Sequence, residues 1–258
     1  MTRFDKAKVR QAFAQASAHY DDFAYLQRTV AGELMQRSGV ERLAGRVVDL
    51  GCGTGFLTHK LLQLGGYEQL FALDLALPML HQAQQRLATA ACYICADIEQ
   101  LPLQAQSMDF IFSSLALQWC LALPSTLQDL HRVLKPGAKL AFATFGPATL
   151  QELKQAWAAV DDYSHVNDFC SVAELQSYLQ PSLWRQVQLS SQVYHCRYAS
   201  VLALMRELKG IGAHNVSTGR QQQLMGKEHW HKMLAAYPLT DATVFASYEV
   251  IWVIAEAR

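Results

Sequence analysis

Val47-Val48-Asp49-Leu50-Gly51-Cys52-Gly53-Thr54-Gly55 decides the fold: a short apolar run ends in an aspartate and then breaks into three glycines at alternate positions. Val47, Val48 and Leu50 are β-branched or apolar without helical spacing, and the turn-like Ala44-Gly45-Arg46 precedes them, so the run reads as a buried strand. Residues 56–64 read as a helix, with apolar positions 57, 61 and 64 at helical spacing until Gly65-Gly66 stops them. Glycines between two such elements let the chain turn sharply and let a ligand touch the main chain, because no Cβ intervenes. The spacing argues against a dinucleotide, since Gly-x-Gly-x-x-Gly needs a glycine where Phe56 stands and the third glycine comes one residue early, at Gly55. Asp49 at the strand tip would repel a pyrophosphate but would pair with an ammonium group, and Lys60 is too far along to serve as a phosphate-loop lysine. A non-phosphorylated cofactor bearing an amino acid fits better.

Working downstream, residues 69–74 read as a second strand ending in Asp74, nineteen residues past Gly55. In Rossmann-like units an acid at about that separation accepts hydrogen bonds from ribose hydroxyls. The competing reading of Asp74 is a helix N-cap, because Pro78 and a helical stretch over 79–87 follow. A third strand over 91–96 delivers Asp97 and Ile98 to a carboxyl-terminal strand end, where Asp97 would accept an exocyclic adenine amino group and Ile98 would pack on the ring; the alternative is a solvated loop acid. A fourth strand covers 108–114, a helix covers 124–134 and stops at Lys135-Pro136-Gly137, and a fifth strand follows over 139–145. Strands alternating with helices in this way predict a parallel, doubly wound sheet.

Further out, residues 5–38 read as two helices broken near 18–22, either packing alone or a flap over the ligand. Tyr20 near the break and Gln27 on the second helix favour the flap. Residues 147–182 supply helical segments, with Ser171 to Glu174 as a capping box. An edge strand over 187–194 and a buried strand over 246–255 bring the sheet to seven, and the segment 195–242 between them is too long for a hairpin, so it reads as an inserted helical cap. The expected architecture is thus one α/β domain over 1–258: a doubly wound, mostly parallel Rossmann-like sheet of seven strands, a cofactor-binding core at 40–145, a helical flap at 1–38 and a helical cap.

Composition bounds the function. Of 258 residues 51% are hydrophobic and 17% charged, enough to bury a sizeable core. Lys+Arg and Asp+Glu are both 22, so no global field draws the chain to nucleic acid. The N-terminus has no apolar core of a secretory signal, and no run of about twenty apolar residues exists to span a membrane, which points to a cytoplasmic protein. Six scattered cysteines in such a chain favour reduced thiols. Cys92 and Cys95, three apart on a strand, face opposite ways and read as two buried small residues.

Asp49-Leu-Gly-Cys-Gly-Thr-Gly55, Asp74, Asp97-Ile98 before Leu101-Pro102, and Leu134-Lys-Pro-Gly137 before a strand together resemble the class I S-adenosylmethionine-dependent methyltransferases over residues 40–145. The resemblance implies that Asp49 and the loop Gly51, Cys52, Gly53 and Gly55 hold the methionine moiety of S-adenosylmethionine, with Gln27 beside it. It also implies that Asp74 holds the ribose, Asp97 and Ile98 the adenine, that Leu115 lines the pocket, and that Leu75 belongs to the cofactor site. Two outer stretches are similar to the biotin-pathway malonyl-acyl-carrier-protein methyltransferases: Leu208-Lys209-x-x-Gly212-Ala213-x-Asn215, and Phe13-x-x-Ala16-x-x-x-Tyr20-Asp21-x-x-Ala24-x-x-Gln27. That family implies methyl transfer to the free carboxylate of malonyl-acyl carrier protein or malonyl-CoA, giving S-adenosylhomocysteine, without metal, nucleic acid or membrane.

A malonyl carboxylate is already ionised at neutral pH, so no general base is expected. Tyr20 is then a lid and a substrate contact, and Arg197 a carboxylate ligand. Arg206 and Lys209 either help hold the carboxylate or form a patch for the carrier protein, while His214 and Asn215 either touch substrate or make local loop hydrogen bonds. Two rivals stay open: the same core acting on another small acid or a ring carbon, and a non-catalytic binding protein of this fold.

Overall fold

The computed structural model describes residues 4–213, 227–241 and 243–258. Three helices, Lys6–Ala16 (α1), Tyr20–Phe23 (α2) and Tyr25–Arg37 (α3), precede the first strand, Arg46–Leu50 (β1). The expected break between two helices is therefore occupied by a short helix of its own. Then follow Phe56–Leu64 (α4), Gln69–Asp74 (β2), Leu77–Leu87 (α5), Cys92–Cys95 (β3), Met108–Ser114 (β4), Leu123–Val133 (α6) and Leu134–Phe145 (β5). The C-terminal part supplies Gln151–Ala158 (α7), Val172–Tyr178 (α8), Trp184–Tyr198 (β6), Val201–Gly210 (α9), Lys227–Ala236 (α10), Leu239–Thr240 (β7) and Thr243–Ala257 (β8).

The sheet order is β3-β2-β1-β4-β5-β8-β6, seven strands as expected, and the two-residue β7 adds an eighth against β8. β1 to β5 pair in parallel, and β8 runs antiparallel to both β5 and β6. Both faces are covered, which is why Val47, Val48 and Leu50 of β1 are apolar and buried whichever face they point to. Val47, Leu70, Phe112 and Ala141 pack on one side with α3, α4 and α7, whereas Val48, Leu73, Ile111 and Leu140 pack on the other with α6 and α8.

Three local expectations change. Lys135-Pro136-Gly137 does not separate helix from strand: α6 passes straight into β5 at Leu134, and the pairing with β4 shifts register between Met108 and Phe110. A proline has no N–H to give a ladder, so it sits at that irregularity, and Gly137 takes a φ of 82° beside it. Cys92 and Cys95 are both exposed rather than buried, because β3 is an edge strand. β6 extends through Tyr198, so the insertion before the last long strand starts after it. The capping box forms as expected: Glu174 N–H donates to the Ser171 hydroxyl at 3.2 Å, and the Glu174 carboxylate accepts from Ser171 N–H at 2.8 Å.

Candidate active site

The tips of β1, β2 and β4 meet at the glycine loop. Gly51 N–H and Cys52 N–H both donate to the Leu73 carbonyl, at 2.8 and 3.0 Å, which folds the loop back over β2. Gly51 holds a φ of 71°, and a Cβ there would lie 2.2 Å from the Ala116 Cβ, so both backbone and space demand glycine. Gly53 has a φ of 54° and nothing within 4 Å of its would-be Cβ, so its face is open to a ligand. Gly55, with a φ of 86°, instead serves packing, since a Cβ there would meet Ala83 and Leu87 of α5 at 3.1 Å.

Asp74 accepts Gly53 N–H at 2.9 Å on one oxygen and Ala76 N–H at 2.8 Å on the other, stitching the two loops together. It is not the N-cap of α5: that position is Ala76, with no side-chain cap. Burial pushes the Asp74 carboxyl above its ordinary range, while backbone N–H groups of Ala76, Gly53 and Leu75 pull it back.

Asp49 is fully buried. Its Oδ2 accepts the Thr58 hydroxyl at 2.6 Å, and among the described residues its Oδ1 has no hydrogen-bond partner. Burial, opposed by the Thr58 hydrogen bond and aided by the charge of Asp74, raises this carboxyl to about 7. A buried carboxylate without a partner is costly, and the residue makes sense if a cationic group completes it. The Ser114 hydroxyl is likewise buried and unpartnered.

Two small cavities share the walls Tyr20, Gly51, Gly53 and Ser114. One, of about 50 Å³, reaches Gln27, Asp49 and Cys52; the other, of about 90 Å³, reaches Asp74, Leu75, Asp97, Ile98 and Leu115. The structure thus gathers the residues expected to hold a cofactor, apart from Gly55. A charged ammonium fits Asp49 Oδ1, and a ligand backbone fits the open face of Gly53.

The N-terminal helices cover these cavities and are tied to them by residues sequence reading missed. Lys6 of α1 donates to both oxygens of Asp97, at 2.5 and 2.7 Å, and pairs with Glu99. Asp97 also accepts Glu99 N–H at 2.9 Å, so both of its oxygens are engaged. Asp21 accepts the Thr54 hydroxyl at 2.7 Å and pairs with Arg86. Tyr20 stands between, its phenol kept protonated by burial and by the charges of Asp74 and Asp21.

A third cavity, of about 440 Å³, lies under the C-terminal helices and is walled by Trp119, Phe145, Trp157, Phe169, Trp230 and Tyr248. Trp119 also lines the 90 Å³ cavity, so the two abut there. The polar groups on the large cavity include Gln118, His165, Asn167 and Lys209. His165 Nε2 meets Asp161 at 2.8 Å and its ring stacks on Trp157 at 3.9 Å, while Asn167 Oδ1 is buried with no hydrogen-bond partner among the described residues. Of the cations expected near substrate, Lys209 lines this cavity, whereas Arg197 and Arg206 are exposed and lie outside the linings of all three. His214 and Asn215 lie outside the described residues. Among the described residues no group of His, Cys, Asp and Glu is placed to hold a metal ion, and no helix is long and apolar enough to cross a membrane.

Known proteins share both this core and the full chain. A family described as a methyltransferase domain matches residues 48–142. A malonyl-[acyl-carrier protein] O-methyltransferase of Gallionella capsiferriformans is 38% identical over 96% of this chain and 89% of its own length. A biotin biosynthesis bifunctional protein BioHC of Cellvibrio japonicus is 39% identical over 98% of this chain, which spans only 50% of that longer protein. Among solved structures, a putative methyltransferase from Bacillus halodurans superposes with a TM-score of 0.64 at 15% identity, covering 88% of this chain and 98% of that one. A phosphoethanolamine N-methyltransferase of Haemonchus contortus, solved with S-adenosyl-L-methionine, shares the fold at a TM-score of 0.54 and 15% identity, covering 88% of this chain and 51% of that one.

Proposed function

Since the chain belongs to the malonyl-[acyl-carrier protein] O-methyltransferase family, we propose that it methylates the free carboxylate of a malonyl thioester, carried on acyl carrier protein, at the start of biotin synthesis. The observation that carries this reading is Trp119, which walls both the large aromatic cavity and the 90 Å³ cavity, the latter joined through Tyr20, Gly51, Gly53 and Ser114 to the 50 Å³ cavity that reaches the Asp49 carboxylate. Held by the residues lining the two smaller cavities, S-adenosylmethionine would supply an electrophilic methyl group to the acceptor carboxylate and would leave as S-adenosylhomocysteine, its sulfur keeping the electron pair.

The chain's own residues have little acid–base work. The acceptor is ionised at neutral pH, and Tyr20, held protonated, donates a hydrogen bond rather than taking a proton. Asp49 holds the ammonium, the open Gly53 face lets the main chain approach, and Asp74 orients the ribose. α1 and α2 act as a flap, with Lys6 on Asp97 and Asp21 on Thr54 and Arg86 as its ties. The aromatic walls exclude water, which favours a step in which opposite charges cancel.

The test is intact-mass measurement of malonyl-carrier protein incubated with the full chain and S-adenosylmethionine, with malonyl-CoA in a parallel arm. Gain of one alkali-labile methyl group on the carrier-bound malonyl supports the reading, and no gain on either thioester refutes it.

The raised carboxyl of Asp49 adds a pH dependence. Below about 7 the empty site holds Asp49 protonated, and an ammonium ligand must displace that proton. Affinity for S-adenosylhomocysteine is therefore expected to rise with pH up to about 7 and then level. Calorimetry at about pH 6 in two buffers of different ionisation enthalpy should show proton release on binding; identical heats would contradict the assignment.

A further inference from the structure

We propose that Gln118 is the residue that holds the acceptor carboxylate against the methyl donor, a proposal that rests on the carboxyl-methyltransferase reading. Gln118 belongs to the 3-10 turn Leu117–Trp119 immediately after β4, lines the large cavity, and is followed by Trp119, the wall common to the large cavity and the 90 Å³ one. No other polar lining residue of the large cavity is adjacent in sequence to that wall.

Its carboxamide is fixed in one orientation. Nε2 donates to the Leu115 carbonyl at 2.7 Å, and Oε1 faces the Thr144 hydroxyl at 3.5 Å. A carbonyl only accepts, so the nitrogen must be the atom on the Leu115 side. Leu115 is itself anchored, its N–H donating to the Ala143 carbonyl at 2.8 Å, and its side chain lines the 90 Å³ cavity. The nitrogen therefore stands at the boundary between the two cavities. An amide nitrogen carries two hydrogens, and among the described residues the second has no partner.

Charge explains why an amide suits this place better than a cation. The acceptor oxygen loses its negative charge as the new O–C bond forms. A cation clamping it would hold the ionised ground state more tightly than the transition state, which slows the step. A neutral donor fixes direction with less of that penalty, and in an aromatic, water-poor cavity a prealigned donor is effective. The placement of the arginines agrees, since Arg197 and Arg206 lie outside the cavity and Lys209, the cation on its lining, is exposed.

Two variants test this. Gln118→Glu keeps the shape and puts a negative group where the carboxylate would sit; Gln118→Leu keeps the bulk and removes the donor. Binding of malonyl-carrier protein to the complex with S-adenosylhomocysteine is read by calorimetry, together with KM and kcat for methyl transfer and S-adenosylhomocysteine affinity alone. Gln118→Glu is expected to weaken malonyl binding and raise KM by roughly 30-fold or more, and Gln118→Leu to lower kcat/KM by about tenfold. Affinity for S-adenosylhomocysteine should stay within about threefold in both. Wild-type malonyl binding and KM in Gln118→Glu overturn the proposal, as does a loss confined to S-adenosylhomocysteine affinity. If the wild-type chain itself leaves malonyl thioesters unmethylated, the functional reading falls and this assignment with it; if the wild type methylates them and Gln118→Glu does so equally well, only the assignment falls.

Discussion

Asp49→Asn is expected to lose S-adenosylhomocysteine binding while the ligand-free protein stays folded and, near pH 8, becomes more stable than the wild type. Removing one partner of a buried ion pair costs about 2–5 kcal/mol, or roughly 30-fold to several thousandfold in affinity. The stability effect has the opposite sign because the ligand-free site is unfavourable to the charge. Folded, the Asp49 carboxyl keeps its proton up to about 7; unfolded, it loses it at the ordinary carboxylate value of about 4. The native state therefore binds more protons between those values, and stability falls as pH rises through that window. Asparagine does not titrate, and its side-chain oxygen still accepts the Thr58 hydroxyl that Asp49 accepts at 2.6 Å. Calorimetry with S-adenosylhomocysteine and a melting curve on the same sample separate the two effects. Unchanged affinity would show that Asp49 does not hold the ligand's ammonium.

Gly51→Ala and Gly53→Ala should differ sharply although both glycines have positive φ. At Gly51 the new Cβ would lie 2.2 Å from the Ala116 Cβ, and Ala116 follows Leu115 in the wall of the 90 Å³ cavity. Overpacking of that kind costs about 1–3 kcal/mol, and the left-handed backbone adds roughly 1–2 kcal/mol. For a chain of this size each kcal/mol lowers Tm by about 2–4 °C, so a fall of roughly 4–20 °C is expected. At Gly53 nothing lies within 4 Å, so only the backbone term acts on stability, and the Cβ intrudes on the ligand's space instead. Gly53→Ala should thus melt within about 8 °C of the wild type and bind S-adenosylhomocysteine poorly. Equal falls in Tm for the two variants would contradict the packing argument.

Much of the candidate cofactor site is legible in the sequence because its information is local. An aspartate closing an apolar run, glycines where a loop must take left-handed conformations, and acids at successive strand tips are all readable along the chain, and the structure gathers Asp49, Gly51, Gly53, Asp74 and Asp97 at one place. What failed depended on distant partners. Nothing near Lys6 announces that it meets Asp97 ninety-one positions later. The exposure of Cys92 and Cys95 follows from β3 being last in the sheet order, which its own residues do not encode. Arg197 has the charge expected of a carboxylate ligand, but it stands on an edge strand between Cys196 and Tyr198, the two that pack against the core, so alternation turns it away from them. The large cavity draws on α1, the turn after β4, α7, the stretch after α7, α9, α10 and β8, and no single motif marks such a place. Gln118 and Trp119 carry a usable signal, since both follow a strand tip in an open α/β sheet, where ligands bind.

The most direct test compares two acceptors that differ in one group. The full chain is incubated with methyl-labelled S-adenosylmethionine and either malonyl-carrier protein or acetyl-carrier protein, and label on the carrier is counted before and after mild alkali. Label on the malonyl form alone, released by alkali as expected of an ester, is the predicted result. Equal labelling of the acetyl form, which has no free carboxylate, would contradict carboxyl methylation.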